Sequence, residues 1–143
     1  MKAGDGGFHL DPRLSADTHP VAALGLCELR LMDDANYPWL VLVPRVVEAV
    51  ELIDLSPQQQ AELLREIGVA SRLLQSVFKP HKLNVAALGN LVPQLHVHVV
   101  ARFEGDPAWP APVWGREAAR AYTPEALVER INTLCEGLRS AAG

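Results

Sequence analysis

The chain has 143 residues, 49% of them hydrophobic and 21% charged, with a formal net charge of −4. That size and balance describe one globular domain, residues 1–143, able to bury about two-thirds of its unfolded surface. They exclude a low-complexity chain and argue against a basic surface for nucleic-acid polymers, but leave room for a small anion held by local donors.

Met1 to Gly7 is Gly-rich, carries Lys2 and Asp5, and lacks the apolar stretch of a signal peptide. No run reaches the roughly 20 apolar residues of a membrane helix, so a cytoplasmic protein with no membrane partner is expected. Residues 26 to 32 alternate, with Cys27, Leu29 and Leu31 on one side and Glu28 and Arg30 on the other. This is the pattern of a strand with one wet face. Residues 33 to 38 (Asp-Asp-Ala-Asn-Tyr-Pro) form a turn rich in side chains that bond their own backbone. Trp39 to Val43 is a near-continuous apolar run ended by Pro44, a central strand by composition, and the two strands make a hairpin.

Ser56-Pro57-Gln58-Gln59 starts a helix, with Ser56 as N-cap, Pro57 at the first helical position and Gln59 completing a capping box. Leu63, Ile67, Ala70, Leu74 and Val77 form its apolar stripe, broadened by Leu64, Leu73 and Phe78, until Lys79-Pro80 stops it. Leu83 to Leu88 reads as a short strand, Gly89-Asn90 as a turn, and Leu95 to Arg102 as another strand. Phe103 to Gly115 holds three prolines and two tryptophans, an ordered loop pinned by Trp109 and Trp114 within an irregular stretch, 104–122. These rings either cover a partner, close over a site, or pack on their own domain. A second helix, about 123–140, starts at Thr123-Pro124 and turns Leu127, Ile131, Leu134 and Leu138 inward. Cys27 and Cys135 lie on apolar faces without paired-thiolate spacing, as expected of free thiols in a reducing compartment. Strands joined by short connections and one long helix give an α+β domain with a mainly antiparallel sheet.

The strand at 95–102 holds the most chemistry. Side chains alternate faces with period 2, so Gln94, His96 and His98 share one face while Leu95, Val97 and Val99 enter the core. Three readings of the pair stand side by side. The imidazoles are structural; or they share a metal ion, with Glu104 as a further ligand; or they carry covalent phosphoryl chemistry. The last needs a neutral imidazole whose far nitrogen is held by a hydrogen bond, a second imidazole to protonate or stabilise what departs, and donors for the anion. Asn84, Gly89 and Asn90, directly upstream, supply such donors. His9, His19 and His81 fall in expected loops.

Gly89-x-x-Val92-x-Gln94-Leu95-His96-Val97-His98-Val99-Val100 resembles the signature of the histidine triad (HIT) family, three histidines alternating with apolar residues. Trp39 to Arg45 is similar to that family's central strand with its Pro-Lys or Pro-Arg end, and Asp54-Leu55-Ser56 and Asn84 fall in family order. About residues 8–103 are covered; the tail resembles a bacterial, diadenosine-polyphosphate hydrolase-like branch. The resemblance implies a five-stranded sheet continued across a homodimer, and a nucleotide substrate cleaved at a phosphoanhydride or phosphoramidate bond; no cofactor and no metal ligand are assigned, and whether zinc plays a part is left open by the sequence. It implies His96 as the nucleophile forming a nucleotidyl-histidine, His98 at the phosphate and leaving group, and Asn84 and Asn90 on phosphate oxygens. It further implies Asp33 on the ribose and apolar residues near Leu29 and Leu31 around the base. Three departures stand out: Gln94 replaces the first histidine, Asn90, Leu91 and Pro93 stand where a phosphate-binding hydroxyl is usual, and Trp39 stands where histidine is common. A non-catalytic nucleotide-binding module on the same fold is the alternative.

Overall fold

The computed structural model describes residues 7–142, so the expectation for Met1 to Gly7 falls almost wholly outside it. The elements run α1 (Pro12–Asp17), β1 (Thr18–Ala23), β2 (Cys27–Met32), β3 (Trp39–Pro44), a 3-10 turn (Leu52–Asp54), α2 (Pro57–Phe78), β4 (Lys82–Ala86), β5 (Val97–Arg102) and α3 (Pro124–Ala142). The strands make one sheet in the order β1-β2-β3-β5-β4, and every neighbouring pair is antiparallel. The α+β architecture is the expected one. β3 lies in the middle with every residue buried, as its unbroken apolar run requires when both sheet faces are covered.

α2 begins as its sequence dictates. The Ser56 hydroxyl accepts from the Gln59 N–H, and the Gln59 side chain accepts from the Ser56 N–H. It ends where Lys79 turns left-handed at φ 50. Leu63, Ala70, Leu73 and Leu74 pack with Leu29, Leu31, Leu40, Leu42, Val97 and Val99 into the helix-side core. Leu64 does not join them; it is 70% exposed, because a residue next to Leu63 sits about 100° around the helix. α3 closes the same face, with Leu134 fully buried and Gly137 so near α2 that an added Cβ would lie 2.5 Å from Leu73 Cδ1.

The opposite face is covered too. Leu14, Tyr37, Trp39, Val41, Val43 and Val100 pack with Ala108 and Val113 of the Pro-rich loop. The expected wet face of β2 is therefore corrected: Arg30 is buried and its Nε donates to Thr18 Oγ1 at 2.6 Å. α1 and β1 were not legible in the chain. β1 is an edge strand containing Pro20 with a register shift beside it, so it lacks clean alternation. His19, expected in a loop, lies in it.

Glu66 is a buried carboxyl group that periodicity does not reveal. Its carboxylate accepts from the N–H groups of Leu26 and Cys27 at 2.8 and 2.9 Å, pinning the start of β2 to α2. Burial, then a hydrogen bond with Glu62, holds its pKa above the usual carboxylate range, against the pull of those amides. Glu66→Leu strands both donors, and urea unfolding should show a loss of about 2–3 kcal/mol. An unshifted midpoint would show the contact to be energetically idle.

Candidate active site

β5 begins at Val97 and the chain from 87 to 96 is irregular, so the expected strand start at Leu95 is two residues early. The alternation still reaches back to His96. Its ring meets that of His98 edge to face, centroids 4.9 Å apart. Leu95, Val97 and Val99 enter the helix-side core as expected. Gln94 departs from the pair: its Oε1 accepts from the Asp11 N–H at 2.8 Å and its Nε2 donates to the His9 carbonyl at 2.9 Å. The carboxamide thus fastens the segment before α1. It is the Gln94 backbone that serves His96, whose Nδ1 lies 2.7 Å from the carbonyl oxygen. A carbonyl can only accept, so Nδ1 carries the proton and Nε2 keeps a lone pair.

His98 has the opposite arrangement. Trp39 Nε1–H donates to His98 Nδ1 at 3.0 Å, leaving the neutral ring's proton on Nε2. Trp39 and Trp114 meet the His98 ring edge-on at 5.6 and 5.2 Å, and only 4% of the residue is exposed. Burial, then the neighbouring His96, pushes its pKa down from 6.5 to about 4. The unfolded chain therefore takes up a proton that the folded ring refuses as pH falls from 6.5 towards 4. The ring's contribution to stability is fully present above that window and shrinks through it. His98→Asn should flatten the decline seen in denaturant titrations across that window, and an unchanged slope would mean the ring protonates freely.

A cavity of about 270 Å³ opens beside His96, lined among others by Val50, Leu52, Ile53, Leu88 and Gly89. Gly89, in the lining, has φ +70, a conformation that favours glycine. Asn90 is exposed on the same turn. Asn84 lies on β4, opposite Val100, and its Oδ1 accepts from Arg102 Nη1 at 2.7 Å, so only its amide N–H groups remain to donate. Arg102, which no sequence pattern singled out, is 1% exposed and also binds Asp106 and the Ala111 carbonyl. Its position at the end of an apolar strand, four residues before an aspartate, was the available signal.

Three expected site residues are not brought to the imidazoles. Leu29 and Leu31 are fully buried in the helix-side core, on the face of the sheet away from His98. Asp33 accepts from the Tyr122 N–H at 3.1 Å and pairs with His19 Nε2 at 3.4 Å, so its carboxylate anchors the chain entering α3. The tryptophans divide between two of the foreseen roles. Trp114 closes over His98, while Trp109 packs on its own domain against His81 and Arg102. Among the described residues, no three His, Cys, Asp or Glu side chains are placed to hold a metal ion, and Glu104 is exposed.

The HIT domain family model matches residues 13–105. A crystal structure of a histidine triad protein from Bradyrhizobium japonicum is 49% identical, covers 92% of this chain and 98% of its own, and superposes with a TM-score of 0.89. One from Sinorhizobium meliloti 1021 is 43% identical over 94% of this chain and 99% of its own, with a TM-score of 0.90. An AP-4-A phosphorylase of Mycobacterium tuberculosis is 34% identical over 102 residues, 66% of this chain. The chain spans about half, 52%, of that relative's length.

Proposed function

Because the chain belongs to the histidine triad family, we propose that it is a nucleotide hydrolase or nucleotidyl transferase working through a covalent His96 intermediate. The supporting observation is the pair of opposite tautomers. His96 offers a lone pair at Nε2 because its Nδ1–H is tied to the Gln94 carbonyl, and His98 offers an N–H because its Nδ1 is tied to Trp39. In this reading Nε2 of His96 attacks the α-phosphorus of a nucleoside phosphate, forming an N–P bond as the phosphoanhydride or phosphoramidate bond breaks. The leaving group takes the bonding pair, and His98 Nε2–H supports the charge on the oxygens. Water or another acceptor then attacks the phosphorus, and His96 departs with its lone pair restored.

Dinucleoside polyphosphates and nucleoside phosphoramidates are the substrate classes proposed. The first is the class named in the AP-4-A phosphorylase relative, and both present an α-phosphorus with a leaving group in line. Gly89 and Asn90, with the free amide of Asn84, are the proposed phosphate donors. A homodimer joined through the sheet is part of the same reading, and a monomer by light scattering at micromolar concentration would refute it. No described helix is long and apolar enough to cross a membrane.

Incubation with α-labelled diadenosine tetraphosphate, rapid acid-free denaturation and peptide mapping test the chemistry. Label is expected on the peptide holding His96. Turnover with no labelled adduct at any time point would exclude the covalent route, and binding without turnover would favour a nucleotide-binding module.

A further inference from the structure

Two adjacent neutral imidazoles can adopt four combinations of tautomer, and only one places a lone pair on the free edge of the first ring and a proton on the free edge of the second. The backbone decides the first ring, since the Gln94 carbonyl lies 2.7 Å from His96 Nδ1. Nothing in the backbone decides the second. We infer that Trp39 is a positioning residue: by donating its indole N–H to His98 Nδ1, it makes the Nε2 proton the only one His98 can present beside His96. The inference rests on the functional reading above and adds the residue that sets the polarity of the pair.

The geometry supports this in three ways. An indole N–H can donate but never accept, so the contact at 3.0 Å is satisfied only when His98 Nδ1 is unprotonated. The indole itself cannot turn away. Trp39 is 6% exposed and is held edge-on by Tyr37 at 6.2 Å and Trp114 at 5.6 Å. Among the described residues, the Trp39 contact is the hydrogen bond made to the His98 ring. Val41 and Ala86 stand opposite it on β3 and β4, Trp114 covers it from the loop, and the titratable His96 ring lies against it. A second proton on His98 would set N–H against N–H at Nδ1, so the same contact keeps the ring neutral.

Two replacements separate donation from packing. Trp39→Phe removes the N–H and part of the ring, and benzothienylalanine at position 39 keeps the bicyclic shape with sulfur in place of N–H. Long-range proton–nitrogen spectra at pH 7 report which His98 nitrogen is protonated, and steady-state kinetics with diadenosine tetraphosphate report its use. The unaltered protein should show a single protonated nitrogen, Nε2. In both replacements the two tautomers should coexist, with kcat falling about tenfold, the scale of one buried hydrogen bond, and KM little changed. His98 remaining wholly Nε2-protonated without the indole N–H would overturn the inference. So would a shifted tautomer with kcat intact. If the unaltered protein fails to turn over the probe, the tautomer measurement still decides the role of Trp39, and the failure belongs to the proposed reaction.

Discussion

His96→Asn is expected to lower turnover by at least about 10⁴-fold while leaving nucleotide affinity nearly unchanged, because removing a nucleophile abolishes bond formation itself. The amide N–H can still donate to the Gln94 carbonyl, but the group has no lone pair nucleophilic enough to attack phosphorus. The separation of the two effects is what makes the variant informative. A residue that only bound phosphate would raise KM and leave kcat largely intact. A histidine that acted as a general base for water would leave slow hydrolysis and no adduct in the unaltered protein. Single-turnover kinetics and isothermal titration with adenosine monophosphate measure the two quantities independently. Activity within an order of magnitude of the unaltered protein would end the case for attack by His96.

Arg102→Leu should be the most damaging substitution to the fold outside the hydrophobic core, costing about 3–5 kcal/mol. The guanidinium is 1% exposed and donates to both carboxylate oxygens of Asp106, to Asn84 Oδ1 and to the Ala111 carbonyl. Removing it leaves the Asp106 carboxylate, itself almost fully buried, without its counter-charge. Burial alone would raise the Asp106 pKa, but Arg102 and the N–H groups of Phe103, Trp109 and Ala108 outweigh it and hold the group at about 2. The stabilisation from this carboxylate is therefore present above its unfolded pKa of 3.8 and is lost as pH falls through about 2. The double replacement of Arg102 and Asp106 by leucine should recover part of the single variant's loss in guanidinium unfolding. A double variant no more stable than Arg102→Leu would show that geometry, not the stranded charge, sets the cost. Because Arg102 also orients Asn84 and the loop that bears Trp114, the same variant should loosen the candidate site.

These two residues differ in how far the chain announces them. His96 was visible because the alternation His-Val-His-Val-Val needs only neighbours to place two rings on one face. The capping box of α2 and its stop at Lys79 were visible for the same reason, as both are closed within a few residues. Arg102 was hidden because its role depends on partners both in β4, 18 residues back, and in the irregular loop that follows β5. Leu29 and Leu31 were placed on a base-binding surface by resemblance, yet hairpin alternation assigns them to the helix-side core once α2 and α3 are known to cover that face. Arg30 was expected in water for lack of any sign that α1, β1 and the Pro-rich loop would cover the other face.

By itself the sequence determined the α+β class, the long helix with both its ends, the central strand, and the shared direction of His96 and His98. Period and capping are local rules, and residues within four of one another suffice to obey them. Only the tertiary structure decided which nitrogen of His98 is protonated, where the Gln94 amide goes, and which tryptophan covers the pair. Trp39 and His98 are 59 residues apart and Gln94 and Asp11 are 83 apart. Hydrogen bonds across such separations depend on how the whole sheet is assembled, and no window of sequence contains both partners.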